Sequence, residues 1–286
     1  VWRRQVPFYE CGETLNKIHP ENYRFLQEHI RRQSGIVLDD GKDYLVEARL
    51  LPVALDHGIK NLDDLCTKLR LLSDISLQRK VVDAMTTNET FFFREPTHFE
   101  ALRCHVIPAL LETRRVEKKL TLWSAAASTG QEAYSLAMLL CEMGLESWEI
   151  RIVGTDISTS VLERASAGIY NQVEIERGLP AVLREKYFTP CGLDRWEAKP
   201  ALRRLTKFQM FDLRFDIRAL GSFDVVFCRN VLIYFDTTTK SRIVQDIRSG
   251  LKPNSYLFLG GTEVSLPVGT GFSRQVACDA TFFKSV

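Results

Sequence analysis

A strand that runs into small residues, a tight turn and then a helix fixes much of what this chain can become. Leu120, Leu122 and Trp123 form an apolar run, and Trp123-Ser-Ala-Ala-Ala-Ser-Thr-Gly-Gln-Glu-Ala-Tyr134 follows from it. A helix is expected from about Gln131 to Met143. Small side chains at such a junction let a ligand lie against the backbone. The amides at the helix start then present donors and partial positive charge. A nucleotide-type pocket at the carboxyl end of a strand is one outcome. A plain tight strand–helix connection is the other, since neither a G-x-G-x-x-G fingerprint nor a P-loop lysine is present.

The rest of the chain gives this junction a context. Downstream, strand and helix patterns alternate. Strands are expected at Trp148–Thr155, Phe223–Cys228 and Tyr256–Leu259, with helices at Ser160–Ser166 and Thr238–Gly250 between them. The near-continuous apolar run Phe223-Asp-Val-Val-Phe-Cys228 suits a parallel strand buried on both faces. This order predicts a doubly wound α/β domain. Arg274–Ala277 and Thr281–Lys284 read as an antiparallel hairpin at one edge. Between Phe188 and Phe211 the alternation breaks. Thr189–Asp194 reads as a turn, and Arg195–Lys199 and Leu202–Phe211 as strands of a small antiparallel insertion ahead of the next parallel strand. Residues 20–93 read as helical, with Pro20 in a first turn, Ser34-Gly35 as a stop and Asn61 as a cap. Pro52 is a weak point within the second helix. We therefore expect a helical domain over residues 1–95 and an α/β domain over 96–286, with the β insertion at about 189–204.

Composition excludes several function classes. The 286 residues hold 38 Lys and Arg against 36 Asp and Glu, a net charge of +2. Residues 1–95 carry 14 basic and 15 acidic side chains. No global field favours nucleic acid. No apolar run approaches the ~18 residues of a membrane span, and the start lacks the apolar core of a secretory signal. The seven cysteines are widely spaced and form no zinc pattern with the five histidines, so reduced thiols and no metal are expected.

Three polar clusters carry chemistry. Asp156 ends the second strand, where a carboxylate can accept from both ribose hydroxyls or cap the next helix. Thr86-Thr-Asn-Glu-Thr-Phe-Phe-Phe-Arg-Glu95 sets Asn88, Thr90 and Arg94 among aromatic residues. An arginine so held suits carboxylate recognition, or a salt bridge across a domain joint. Phe227-Cys-Arg-Asn-Val-Leu-Ile-Tyr-Phe-Asp236 places Arg229, Asn230 and Tyr234 just past a buried strand. That is where α/β folds gather their sites, although capping would also use these residues.

Taken in order, these motifs resemble those of the chemotaxis receptor methyltransferases, the CheR family, from about residue 20 to the end. The resemblance implies a class I methyltransferase sheet and transfer of a methyl group from S-adenosylmethionine to chemoreceptor glutamates, leaving S-adenosylhomocysteine. It implies that Asn88, Thr90, Arg94, Glu132, Asp156, Asp212, Leu213, Arg229 and Asn230 line the cofactor site. Asp156 would hold the ribose, and Asp212 and Leu213 would border the adenine. Arg94 and Tyr234 would lie beside the transferable methyl as the catalytic pair. Asp212 stands where enteric members carry Asn. The partners implied are the cytoplasmic domains of chemoreceptors, with no nucleic acid, no membrane insertion and a cytoplasmic location. Lys42 and Arg49 alone remain of the basic stripe that enteric members carry on the second helix. The short Thr189–Asp194 loop argues against tethering to a receptor's C-terminal pentapeptide.

Overall fold

The computed structural model describes residues 18–71, 74–145, 147–266, 269 and 271–286. Cys11 and the chain start, where no secretory signal is read, lie outside the described residues. The chain divides into two compact units. Among the described residues, the first takes in 18–33 and 38–85, and the second 34–37 and those from 86 to 286.

The first unit is helical. Helices α1 (Pro20–Ser34), α2 (Asp43–Asp56), α3 (Leu62–Arg70) and α4 (Ile75–Met85) bury one side each. Leu26, Ile30, Val46, Leu50, Leu65 and Val81 are fully buried. Asn61 caps α3, its Oδ1 accepting from the Asp64 N–H at 2.8 Å. Asp74 starts α4 in the same way, its Oδ1 accepting from the Leu77 N–H at 2.9 Å. Pro52 does not break α2, which continues four residues beyond it.

The second unit opens with α5 (Pro96–Ala101), a π-helical turn (Leu102–Val106) and α6 (Ile107–Thr113). The alternating part follows: β1 (Lys119–Ala125), α7 (Gln131–Glu142), β2 (Glu149–Asp156), α8 (Thr159–Ala167), β3 (Ile169–Asn171), α9 (Gln172–Glu176), α10 (Ala181–Tyr187), β4 (Phe188–Pro190), β5 (Arg195–Ala198), α11 (Pro200–Arg203), β6 (Thr206–Met210), β7 (Phe223–Cys228), α12 (Thr237–Gly250), β8 (Leu251–Leu259), β9 (Phe272–Ala277) and β10 (Ala280–Ser285). Seven strands form one sheet in the order β6-β2-β1-β7-β8-β10-β9. The first five run parallel and the β9–β10 hairpin closes one edge antiparallel. Strand order reverses between β1 and β7, and in such sheets the ligand crevice opens at the carboxyl ends of those strands.

Both faces of the sheet are covered. Val225 and Phe227 of β7 pack into one hydrophobic layer with Phe92, Phe99, Tyr134 and Phe258. Val226 and Cys228 pack into the opposite layer with Trp123, Val153 and Ile243. Trp123 Nε1 donates to Thr155 Oγ1 at 2.9 Å, so the one polar atom of this buried ring is satisfied. The acid inside β7, Asp224, is fully buried and accepts from Arg114 Nε at 2.8 Å, Lys252 Nζ at 2.7 Å and the Thr121 N–H at 2.9 Å.

The expectation for Leu202–Phe211 fails. Its first residues complete the helical turn α11, and β6 pairs parallel with β2 in the main sheet. The small antiparallel sheet instead takes β3, β5 and β4 in that order.

Candidate active site

A pocket with roughly 950 Å³ of empty space, open solvent included, lies in the second unit. Its floor is made by the ends of the parallel strands. Ala126 and Ser128 follow β1, Asp156 ends β2, Phe211 to Leu213 follow β6, and Arg229 to Val231 follow β7. Thr86 to Phe91 and Arg94 supply one wall, and Tyr234 and Phe235 another. Ala126, Ser128 and Asn230 have φ of 59°, 49° and 57°. Such left-handed backbone is costly away from glycine and tends to cluster at functional sites.

Asn88, Thr90, Arg94, Glu132, Asp156, Asp212, Leu213, Arg229, Asn230 and Tyr234 all line this one pocket. Their local bonding differs. Asp156 Oδ2 accepts from the Ser128 N–H at 2.9 Å and Oδ1 from the Ser158 N–H at 3.0 Å. It thus ties the β1 turn to β2 while also starting the next turn. Arg94 Nη1 donates to the Glu89 carbonyl at 3.0 Å, a main-chain and not a carboxylate partner, and the guanidinium lies 5.7 Å from the Phe91 ring centroid. Asp212 is clasped by Arg214, whose Nη2 reaches Oδ2 at 2.6 Å.

Glu132 and Arg229 form the buried electrostatic centre. Glu132 Oε1 accepts from Ser124 Oγ at 2.7 Å, and Oε2 from Arg229 Nη1 at 2.9 Å. Burial pushes the Glu132 carboxyl up, against the pull of Arg229 and the Ser124 hydroxyl. Arg229 Nη2 donates to the Arg94 carbonyl at 2.6 Å and lies 3.3 Å from Glu95 Oε2. Burial would raise Glu95 too, but Arg229, His98 and the Asn230 amide outweigh it and leave its carboxyl low. Arg229 Nε is buried without a hydrogen-bond partner among the described residues.

Sequence reasoning missed several groups. Ser34 and Ile36 line the pocket, although they lie far upstream. Their segment is fixed by the Val37 N–H, which donates to the Tyr234 carbonyl at 2.9 Å. Gly35 has φ +79°, and a Cβ there would stand 2.7 Å from the Phe235 ring, so the segment requires glycine. In the sequence Ser34-Gly35 reads only as a helix stop, and α1 does end at Ser34. Glu95 ends the Thr86–Glu95 motif, but nothing local marks its contacts with Asn230 and Arg229. Cys228 is not a nucleophile here: it is fully buried behind the floor, and burial raises its thiol well above the ordinary range. The six described cysteines are free thiols. Among the described residues no His, Cys, Asp and Glu cluster is arranged to hold a metal.

The crevice opens at the sheet's reversal point, with Asp156 at the end of β2 and Glu132 in the first turn of α7, the placement of a nucleotide-type cofactor site in a doubly wound sheet, and family models give it as that of an S-adenosylmethionine-dependent methyltransferase. The CheR methyltransferase SAM-binding domain matches residues 88–278, and the CheR all-alpha domain matches residues 21–86. The chain belongs to the CheR methyltransferase family. It is 41% identical over 239 residues to the chemotaxis protein methyltransferase Cher2 of Pseudomonas putida, covering 82% of this chain and 86% of that protein. It is 40% identical to chemotaxis protein methyltransferase 1 of Pseudomonas aeruginosa, covering 85% and 89%. It is 38% identical to the chemotaxis protein methyltransferase of Vibrio parahaemolyticus, covering 93% and 97%.

Proposed function

We propose that this chain methylates glutamate side chains of bacterial chemoreceptors, forming methyl esters in chemotactic adaptation, and that it does so in the cytoplasm. Among the described residues no helix is long and apolar enough to cross a membrane. The observation that carries the reading is the gathering of all three polar motifs around one pocket.

The pocket suits the methyl donor chemically. Asp156 offers acceptors for ribose hydroxyls and Glu132 one for an ammonium group, while Arg229 Nε is an unused buried donor suited to a carboxylate. Asp212 and Leu213 are assigned to the adenine edge, and Asn88, Thr90 and Asn230 complete the lining. The bound donor supplies an electrophilic methyl carbon and a neutral thioether leaving group.

The remaining work falls to the chain. A glutamate acceptor has a pKa near ~4.3 and is ionised at neutral pH, so no general base is needed. Transfer forms one oxygen–carbon bond and breaks one carbon–sulfur bond, with no proton moved. Arg94 orients the incoming carboxylate with its planar fork, and Tyr234 donates a hydrogen bond beside it. Phe91 and Phe211 in the pocket lining help to exclude water.

No tether to a receptor's C-terminal tail is expected of this chain. The β4 edge has three residues and ends in Pro190, which lacks an N–H for strand addition. Incubation with tritiated S-adenosylmethionine and receptor cytoplasmic domains tests the reaction. Label released by mild base is expected of a methyl ester; base-stable label would overturn glutamate O-methylation.

A further inference from the structure

Glu263 belongs to no motif that the sequence singles out, yet it is 1% exposed and holds the most crowded carboxylate described in the molecule. It lies in the turn after β8. Its Oε2 accepts from the N–H groups of Asn230 at 2.7 Å and Gly260 at 2.9 Å. Its Oε1 accepts from those of Val231 at 3.0 Å, Leu232 at 2.7 Å and Ile233 at 3.3 Å. Four successive main-chain donors of the loop after β7 therefore converge on one side chain. Successive N–H groups that point the same way favour negative charge at their focus, and here the chain fills that focus itself.

Two further features show that the arrangement is built. Gly260 has no room for a side chain: a Cβ would stand 2.7 Å from Glu263 Oε2 and 2.7 Å from Asn230 Nδ2. Asn230 itself is held at φ +57°, a conformation that a lone loop residue would readily leave. The loop leads directly into the 3₁₀ turn Leu232–Tyr234, whose Tyr234 lines the pocket.

We propose that Glu263 is a positioning residue for methyl transfer: its buried carboxylate gathers the Asn230–Ile233 main chain and so sets Tyr234 in the pocket. The inference rests on the methyltransferase reading above. The Asn230 side chain has a separate anchor, its Nδ2 lying 3.4 Å from Glu95 Oε1. Disturbing Glu263 therefore affects the acceptor side of the pocket more than the cofactor side.

Glu263→Gln keeps the shape but turns an amide NH₂ toward main-chain donors. We expect it to melt cooperatively and to lose roughly 30-fold in kcat with receptor substrate, the size of one lost charge-assisted hydrogen bond. Its affinity for S-adenosylhomocysteine, by calorimetry, should change only about threefold or less, because the cofactor groups keep their own anchors. Glu263→Ala opens a hole beside the same donors. Sodium formate should raise its Tm and restore part of its turnover, while leaving the wild type unaffected. The proposal is overturned if Glu263→Gln turns over within about twofold of wild type or does not melt cooperatively, the latter making the carboxylate a requirement of the fold. It is also overturned if formate stabilises Glu263→Ala without restoring turnover. If Glu263→Ala does not fold, Glu263→Gln decides. A wild-type chain inactive on every receptor domain would instead sink the functional reading, and the formate shift in Tm would then decide whether the carboxylate organises the loop.

Discussion

His98 is 4% exposed, packed edge-on to the Phe258 ring, with its Nδ1 3.2 Å from Glu95 Oε2 but off hydrogen-bond alignment. Burial, aided by the Arg229 guanidinium and opposed by Glu95, lowers its pKa from 6.5 to about 4. The unfolded chain therefore binds this proton first as pH falls. The stability that a neutral His98 preserves is complete above pH 6.5 and is lost as pH falls from 6.5 to about 4. The loss should approach about 3 kcal/mol at the acid end. Urea unfolding at several pH values should show a shallower acid slope in His98→Gln. An unchanged slope would assign the acid sensitivity to carboxylates alone. Asp224 makes the opposite kind of case, a buried charge that the fold uses. Asp224→Ala would strand Arg114 and Lys252 against the sheet. Breaking such a cluster should cost about 3 kcal/mol, read as a lower urea midpoint, with cofactor affinity intact because the cluster lies at the far end of β7 from the pocket. A loss below about 0.5 kcal/mol would show that solvent satisfies both cations.

At the scale of elements, the small sheet carries the clearest consequence. β4 offers three residues of edge, one of them Pro190, and its connection to β5 is closed by the Cys191 N–H bonding to the Arg195 carbonyl at 2.9 Å. A receptor C-terminal pentapeptide should not bind measurably in a calorimetric titration; a micromolar dissociation constant would refute this. The same region shows how far sequence reading reaches. β1 and β7 were legible because two-sided burial imposes long apolar runs, and β2 through the short Ile152–Thr155 stretch at its buried end. β3 and β4 have three residues each, too few for any periodicity to show. β6 misled because it is an edge strand of the main sheet. Phe208 between Lys207 and Gln209 alternates as an antiparallel strand would, although the pairing with β2 is parallel. α9 was missed although Asn171 and Glu174 form a readable capping box. The site divides in the same way. Asp156, Arg94 and Arg229 sit in local motifs with readable chemistry. Ser34 and Glu263 matter only because the chain returns to this region from elsewhere, and no local pattern encodes that return.

At the scale of the whole molecule, the net charge of +2 gives no steering field, so recognition must come from the site and its surroundings. The sheet places one crevice at the point where strand order reverses, and a single pocket of the second unit gathers every polar motif. The central claim is a division of labour within that pocket: Asp156 holds the methyl donor, and Arg94 aligns the acceptor carboxylate. One paired measurement tests it, S-adenosylhomocysteine affinity by calorimetry beside receptor-methylation turnover, made on both Asp156→Ala and Arg94→Ala. Asp156→Ala should lose roughly ten- to a hundredfold in affinity, the range of one charge-assisted hydrogen bond. Arg94→Ala should keep its affinity within about threefold and lose ~100-fold or more in turnover, with Arg94→Lys restoring only part because an ammonium lacks the planar fork. Unchanged affinity in a folded Asp156→Ala, or near-normal turnover in Arg94→Ala, would contradict the account.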